Sequence, residues 1–199
     1  SDDRKTLRAT FAPCGDSKVC ALLVHGWHGR HDDMAAYGQK LYEERSCALL
    51  LPQQRGHGQS DGRYTTMGYK ESRDMLRWID QLIARGFESI VVLGVSMGAG
   101  TVMMLSALDL PVEVKCLVED CGYTSVREEY VHVCSDMLGK FRFLAPVLVA
   151  VGSLISGFFL GCRYRDVNCE RAVAHAKRPM LFIHGERDAF VPYPMLQRN

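Results

Sequence analysis

The sequence lacks an excess of either charge, because 24 Lys and Arg residues stand against 23 Asp and Glu residues. A near-neutral balance removes the electrostatic footprint of a nucleic-acid-binding protein. Low-complexity tracts and repeats of fixed period are also missing, which excludes collagen-like and solenoid folds. The 199 residues, 47% of them hydrophobic, fit one large globular domain or at most two very small ones.

Pairs of the Cys-x-x-Cys type do not occur among the eight cysteines, which disfavours a zinc ribbon or a thioredoxin-type site. Cys20, Cys47 and Cys116 lie in apolar runs, where a free thiol packs like a small hydrophobic group. We therefore expect reduced thiols and a cytoplasmic protein. The first residues carry no hydrophobic signal region, but the chain starts at Ser1 rather than Met, which leaves a removed signal or anchor open.

One uncharged run of 20 residues, 143–162, reaches the length of a membrane span. Pro146 and Gly152 interrupt the run, however, and its large side chains recur at the spacing of a one-sided helix. These side chains are Leu144, Val147, Leu148, Val151, Leu154, Ile155 and Phe158. A span would also place the two halves of the candidate site on opposite sides of a bilayer, so the sequence disfavours membrane insertion.

Short apolar runs alternate with amphipathic segments over most of the chain. Buried strands are predicted at 19–24, 47–51, 90–93, 115–118 and 180–183, and helices at about 33–45, 69–85 and 99–108. The alternation predicts an α/β fold with a mostly parallel sheet and helices on both faces, entered through an antiparallel edge strand at about 6–11. Residues 123–168 break the alternation and are predicted to form an inserted helical cap between core segments 1–122 and 169–199.

The segment after the run 90–93 is Gly94-Val95-Ser96-Met97-Gly98, which leads into a helical pattern. Gly-x-Ser-x-Gly between a strand and a helix is typical of a nucleophile elbow, a strained turn that exposes the serine hydroxyl. Side chains at the two glycine positions would collide with the neighbouring strand and helix. Ser96 is therefore the predicted nucleophile, and the glycines do not fit the Gly-x-Gly-x-x-Gly pattern of dinucleotide-binding proteins.

The first buried strand ends in the segment HGWHG at 25–29, which can face the serine across the top of the sheet. The main-chain N–H groups of Trp27 and Met97 are the predicted pair of donors to the oxyanion of an acyl-transfer reaction. A metal cluster is the alternative for His25, His28, His31, Asp32 and Asp33. Their spacing matches no zinc signature, so we predict no metal and no organic cofactor.

The last apolar run leads into the segment HGERD at 184–188. A carboxylate at a strand tip can orient a catalytic histidine and stabilise its charged form, which makes Asp188 the predicted acid. Asp120 and Glu119, at the tip of the preceding strand, are the competing candidates.

Four motifs resemble those of α/β-hydrolase fold serine hydrolases, near the branch of bacterial serine aminopeptidases, acylglycerol lipases and esterases. They are HGWHG at 25–29, RGHGQSDG at 55–62, GVSMGAG at 94–100 and HGERDAFVP at 184–192. The resemblance runs from about Lys18 to the last residue and implies that Ser96 is the nucleophile, Asp188 the triad acid, and Trp27 and Met97 the oxyanion-hole donors. It also implies a scaffold role for His57 and a substrate-selecting lid at 123–168.

The sequence departs from this family at the general base. The family's triad histidine follows the acid, whereas the residues after Asp188 contain no histidine. None of the seven histidines is a convincing substitute. We therefore expect a C-terminal strand-helix unit carrying this histidine outside the 199 residues, and a degenerate, non-catalytic homologue is the alternative.

Together these features predict a serine hydrolase that cleaves a small-molecule carboxylic ester or short acyl substrate, less probably an amide, through an acyl-enzyme. Tyr123, Phe158 and Phe159 are the predicted pocket residues and favour a moderately hydrophobic substrate. A serine aminopeptidase is disfavoured because the cap shows no acidic pair suited to a peptide N-terminus. A ligand-binding protein without turnover is the rival from another class, and the oligomeric state is left open.

Overall fold

A six-stranded sheet organises the protein, which is described over residues 3–199 from a computed structural model. The strands are β1 (Arg8–Ala12), β2 (Val19–Val24), β3 (Ala48–Gln53), β4 (Ser89–Val95), β5 (Val114–Asp120) and β6 (Met180–Ile183). Their order in the sheet is β1-β3-β2-β4-β5-β6, with β1 antiparallel to β3 and every other pair parallel. The predicted mostly parallel sheet with an antiparallel edge strand is confirmed.

Helices cover both faces of the sheet, as the alternation predicts. They are α1 (Ala35–Arg45), α2 (Tyr69–Ala84), α3 (Met97–Ser106), α4 (Val126–Leu138), α5 (Ala145–Leu160) and α6 (Cys169–Val173). Alternate β2 residues serve opposite faces: Leu22 packs with Ile79 of α2 and Val102 of α3, whereas Leu23 packs with Met34 just before α1. Because both faces are covered, β2 is a continuous apolar run rather than an alternating one.

A buried ion pair fastens the loop after β3 to helix α2. The Arg55 guanidinium donates through Nε and Nη2 to the two carboxylate oxygens of Asp74, at 2.7 and 2.8 Å. Both side chains are almost completely buried. Burial opposes the charge of Arg55, but the attraction of Asp74 and the hydrogen bonds outweigh it and raise the pKa of Arg55. The segment 55–62 is thus held to the core by a desolvated charge pair.

The substitution Asp74→Asn would leave the Arg55 charge buried without its principal partner, and we expect it to lower the free energy of unfolding by about 3 kcal/mol. Asp80→Asn is the matched control. Asp80 is an exposed residue on the same helix, and its Oδ2 lies 3.5 Å from the Arg77 Nη1 in a solvent-exposed ion pair. The control should change stability by less than about 0.5 kcal/mol. Equal effects in urea titrations of the two variants would contradict a structural role for the pair.

The predicted cap segment contains α4, a 3₁₀ helix at Gly139–Leu144 and α5. Its two ends leave the core side by side, because Ser125 and Asn168 form an isolated antiparallel bridge. The Val126 N–H also donates to the Val167 carbonyl at 3.2 Å, and the Cys169 N–H to the Thr124 carbonyl at 2.8 Å. These contacts lie near the predicted first and last residues of the cap, 123 and 168.

The predicted one-sided helix in the uncharged run is present as α5, but its large apolar side chains face outward. Val147, Leu154 and Phe158 are exposed, whereas Ala145 and Val149 are buried. By length and composition, the helical stretch Val126–Leu160 could cross a membrane, with only 11% of its most apolar window buried. The stretch is folded back on itself in the structure, because α4 and α5 pack against each other.

Candidate active site

Ser96 lies in a strained turn between β4 and α3. Its backbone has φ 56° and ψ −117°, a left-handed conformation that costs a residue with a side chain about 1–3 kcal/mol. The Ser96 N–H donates to the Asp120 carbonyl at 2.8 Å, which holds the turn against the tip of β5. This is the backbone geometry that the Gly-x-Ser-x-Gly motif predicts.

Close backbone contacts explain the two glycines around Ser96. A Cβ atom at Gly98 would collide with the carbonyl oxygen of Val24 at the end of β2. One at Gly94 would collide with the carbonyl group of Gly98. Only glycine at both positions lets α3 begin directly above the ends of the central strands.

The N-terminus of α3 begins at Met97, immediately after Ser96. The first N–H groups of a helix have no acceptor within the helix and carry its partial positive charge. The Met97 side chain is fully buried, so this residue presents its backbone to the turn. Its N–H is therefore one of these helix-start donors and directly follows Ser96 in the chain.

The segment 25–29 lies directly against Ser96. A Cβ atom built at Gly26 would be 3.3 Å from the Ser96 Cβ. The Gly29 N–H donates to the Gly26 carbonyl at 3.1 Å and closes a turn around Trp27 and His28. The main chain of Trp27 thus follows the residue that touches the serine, and its indole is 55% exposed beside the His28 ring.

Histidines 25 and 57 hold this turn in place. The His25 Nε2 accepts from the Gln54 N–H at 3.1 Å, so its Nδ1 donates to the Gly26 carbonyl at 2.8 Å. Burial lowers the pKa of His25, in keeping with this neutral tautomer. The His57 Nε2 accepts from the His28 N–H at 3.1 Å, which confirms the predicted scaffold role of His57.

A metal site at these histidines has no support in the described part of the chain. Both ring nitrogens of His25 are already occupied by main-chain groups. Within residues 3–199, no three His, Cys, Asp or Glu side chains are grouped closely enough to hold a metal ion.

Asp188 lies beyond the tip of β6, two strands from the serine. Its Oδ1 accepts the N–H groups of Phe190 and Val191 at 2.9 and 3.0 Å. Within residues 3–199, its Oδ2 makes no hydrogen bond and lies 3.7 Å from the His184 Nε2, which is itself 2.8 Å from the Val191 carbonyl. One carboxylate oxygen is therefore fixed, and the other is available to orient an imidazole.

Hydrogen bonds between strand tips bring the two residues to one edge of the sheet. The Ser96 N–H reaches the Asp120 carbonyl on β5, and the Cys121 N–H reaches the Ile183 carbonyl on β6 at 2.9 Å. Strands β4 and β6 flank β5, so their axes are separated by about 10 Å. Ser96 and Asp188 therefore follow strands that end at the same side of the sheet, separated by one strand.

The competing acids on β5 are engaged elsewhere. The Tyr37 hydroxyl donates to Asp120 Oδ2 at 2.6 Å, and this bond raises the pKa of Tyr37 to about 12. Glu119 is fully buried and accepts the Gly122 N–H at 2.8 Å, and burial raises its pKa to about 7. An enclosed carboxyl with a raised pKa is poorly suited to stabilising an imidazolium, so the geometry favours Asp188.

Comparison with known proteins assigns the fold. Residues 21–198 match the model of the alpha/beta hydrolase family. The chain belongs to the alpha/beta hydrolase family. It is 25% identical over 162 residues to the uncharacterized protein YqkD of Bacillus subtilis, covering 79% of this chain and 52% of YqkD. It is 23% identical over 182 residues to protein bem46 of Schizosaccharomyces pombe, covering 91% of this chain and 55% of bem46. The chain therefore spans about half the length of the curated relatives it matches.

Among solved structures, the chain is similar to the esterase PF2001 of Pyrococcus furiosus. The TM-score is 0.68 at 21% sequence identity, covering 98% of this chain and 76% of that chain. This likeness concerns the alpha/beta hydrolase fold, which confirms the fold class predicted from the motifs.

The apolar cavity of this alpha/beta hydrolase lies beside the cap. It has a volume of about 570 Å³ between the segment 64–67 and helices α4 and α5, and its walls include Tyr130, Ile155 and Phe159. Ser96 and Asp188 do not line it. Of the predicted pocket residues, Phe159 is on its wall, whereas Phe158 points to solvent and packs edge-on against Phe159.

The structure places the third predicted pocket residue, Tyr123, in the core rather than on a pocket wall. The side chain is only 2% exposed, and its hydroxyl donates to the Met67 carbonyl at 2.8 Å. The ring fills space over Gly100, where even a methyl group would collide with it. Tyr123 therefore packs against α3 at Gly100.

Glu129 on α4 is a buried acid near Asp188 that the sequence analysis missed. It is 3% exposed, and neither carboxylate oxygen has a hydrogen-bond partner within residues 3–199. Burial, and secondarily the charge of Asp188, raises its pKa to about 7, although His132 opposes the shift. The available signal is its place three residues after the buried Val126, on the same helix face.

We expect Glu129→Gln to stabilise the protein at pH 8 and to have little effect at pH 5. The pKa of Glu129 is raised from its usual 4.5, so between about pH 4.5 and 7 the folded state holds a proton that the unfolded state has released. Stability contributed by that proton is lost as the pH rises through 7. The gain at pH 8 should be about 1–2 kcal/mol in urea titrations.

The control for this prediction is Glu44→Gln, since Glu44 is exposed on α1. It should change stability by less than about 0.5 kcal/mol at either pH. A Glu129→Gln gain that is the same at pH 5 and pH 8 would mean that burial of the charge is not its cause.

Proposed function

We propose that this chain forms the catalytic core of a serine hydrolase that cleaves a carboxylic ester through an acyl-enzyme on Ser96. One observation carries the proposal: Ser96 is held in a strained turn at the N-terminus of α3, with the segment 25–29 against it. A strained, half-buried serine next to two sets of main-chain donors serves acyl transfer, because the tetrahedral oxyanion needs fixed dipoles.

The proposed reaction begins with attack of the Ser96 Oγ on the ester carbonyl carbon. The N–H groups of Trp27 and Met97 stabilise the oxyanion, and the alcohol leaves with a proton. Water then attacks the acyl-enzyme and releases the carboxylic acid. These steps call on neither a metal nor an organic cofactor.

The proposed general base is a histidine that Asp188 orients through its Oδ2. The described histidines are engaged elsewhere: within residues 3–199 no hydrogen bond joins a histidine to Ser96. His132 lies 3.2 Å from the Ala189 carbonyl, and His175 lies 2.8 Å from the Arg171 carbonyl. We therefore propose that the base lies C-terminal to Asn199, in the Ser, Asp, His order of this fold.

The proposed substrate is a small ester with a moderately hydrophobic acyl or alcohol part. The exposed Trp27 indole, one residue after the glycine that touches the serine, and the apolar cavity beside the cap favour such groups. The Pyrococcus furiosus neighbour is named an esterase, which supports an ester over a peptide.

The test is labelling by a fluorophosphonate probe and hydrolysis of p-nitrophenyl esters, in the protein carrying all residues that its gene encodes. We expect the probe to label the wild type, and Ser96→Ala to abolish labelling and lower kcat by about 10⁶-fold. Ser89→Ala is the matched control, because Ser89 begins the same strand at its opposite end. It should retain both activities.

The 199 residues by themselves should show almost no turnover, since loss of a triad histidine costs about as much as loss of the nucleophile. Substantial hydrolysis by this chain would reveal an internal base. Absence of labelling and turnover in the complete protein would instead favour a ligand-binding protein without catalysis.

A further inference from the structure

The outward side of α5 is an apolar surface on a helix that nothing in residues 3–199 covers. Its side chains, which we call the apolar cap face, are between 49% and 85% exposed. The apolar cap face consists of Val147, Leu148, Val151, Leu154, Ile155 and Phe158. Large contiguous apolar patches are rare on monomeric soluble proteins and usually mark an interaction surface.

Packing on the inner side of α5 prevents the helix from rotating to bury this face. The Ser156 hydroxyl donates to the Cys162 carbonyl at 2.7 Å, and the Ser153 hydroxyl accepts the Tyr164 N–H at 3.1 Å. A Cβ atom at Gly157 would approach the Arg163 Cγ to 2.8 Å. Small and polar residues therefore fit the inner side, and the large apolar residues are left outside.

Positively charged residues lie at both ends of the helix that carries the apolar cap face. Between Asp136 and Asp166 the chain contains no acidic residue, but it carries exposed Lys140 and Arg142 before α5 and exposed Arg163 and Arg165 after it. An apolar stripe with cations at both ends matches a surface with an apolar interior and anionic groups at its border. The membrane–water interface of an anionic bilayer has that composition.

A second copy of this chain is a poor match for the same face. Because both ends of α5 are basic, pairing two apolar cap faces would bring like charges together in either helix orientation. The charge pattern thus favours an anionic lipid surface over self-association.

The length of α5 favours surface contact over crossing the bilayer. Its 16 residues extend about 24 Å, less than the hydrocarbon core of about 30 Å. Such a helix lies in the plane of the interface with its apolar side toward the acyl chains.

We propose that the apolar cap face binds the surface of an anionic phospholipid bilayer, with Lys140 and Arg142 at the level of the headgroups. Binding through α5 places the cap, and the cavity behind it, next to the lipid. The proposed contact involves the cap alone, so the central sheet would not enter the bilayer.

The test is cosedimentation with vesicles of equimolar phosphatidylcholine and phosphatidylserine, and with vesicles of phosphatidylcholine alone. We expect binding to the anionic vesicles and weaker binding to the neutral ones. Val147→Glu should weaken binding about tenfold, since it replaces an inserted side chain with a charge. Val112→Glu is the matched control. Val112 is 71% exposed and lies just before β5, at the end of the strands opposite to Ser96. This variant should bind like the wild type.

The role of the cations is tested with one double variant and a matched control. Lys140→Gln/Arg142→Gln should weaken binding to anionic vesicles by about tenfold. Lys40→Gln/Arg45→Gln removes the same two residue types from the exposed side of α1 and should have little effect. Ser96→Ala should bind like the wild type, so failure of lipid binding and failure of the catalytic proposal can be told apart.

Three results would overturn the lipid-binding proposal. The first is no cosedimentation with either vesicle type. The second is an equal loss for Val147→Glu and Val112→Glu, which would indicate a nonspecific effect of added negative charge. The third is a dimer in sedimentation velocity that Val147→Glu dissociates, with vesicle binding unchanged, which would assign the face to self-association.

Discussion

Contact between backbones at the ends of β2 and β4 is the constraint on which the rest of the molecule depends. Gly98 must approach the Val24 carbonyl, and Gly94 must approach the carbonyl of Gly98, before Ser96 can adopt its left-handed conformation. That conformation is unfavourable by itself, so the packing of the two central strands must compensate for it. Substitutions deep in this core should therefore affect the geometry of the serine as well as stability.

The carboxylates of Asp188 and Glu129 show how surroundings give similar groups different behaviour. Asp188 is held by two N–H donors and keeps one oxygen available. Glu129 is enclosed without a partner and holds its proton to near-neutral pH. A fixed carboxylate can guide a cationic ring, whereas a buried neutral one adds no negative field that would compete for it.

Local features of the sequence were enough to predict the sheet, the elbow and the turn at 25–29. Apolar runs with buried neighbours appear as strands, and the glycines around Ser96 act over a few residues. The burial of Tyr123 was not predictable in this way, because it depends on space over Gly100 of α3, which is distant in the sequence. The position of Glu129 on the helix face of Val126 was a weak signal, and it did not by itself predict that Glu129 would be buried and its neighbour Glu128 only half-buried.

The orientation of α5 illustrates the same limit. Periodicity identifies an apolar stripe, but it does not say which way the stripe points. Hydrogen bonds from Ser153 and Ser156 to the segment after the helix set its direction. The hydrogen bonds of these serines thus keep the polar side of α5 inward, although the large apolar side chains are left exposed.

The bridge between Ser125 and Asn168 makes the cap an insertion with adjacent entry and exit points. A segment whose ends already touch contributes little to closing the core, so its length and content can vary at small entropic cost. The same core could accept a different cap, or a short turn in its place, without moving the strand tips that carry Ser96 and Asp188. Adjacent ends thus separate the length of the cap from the geometry of the core.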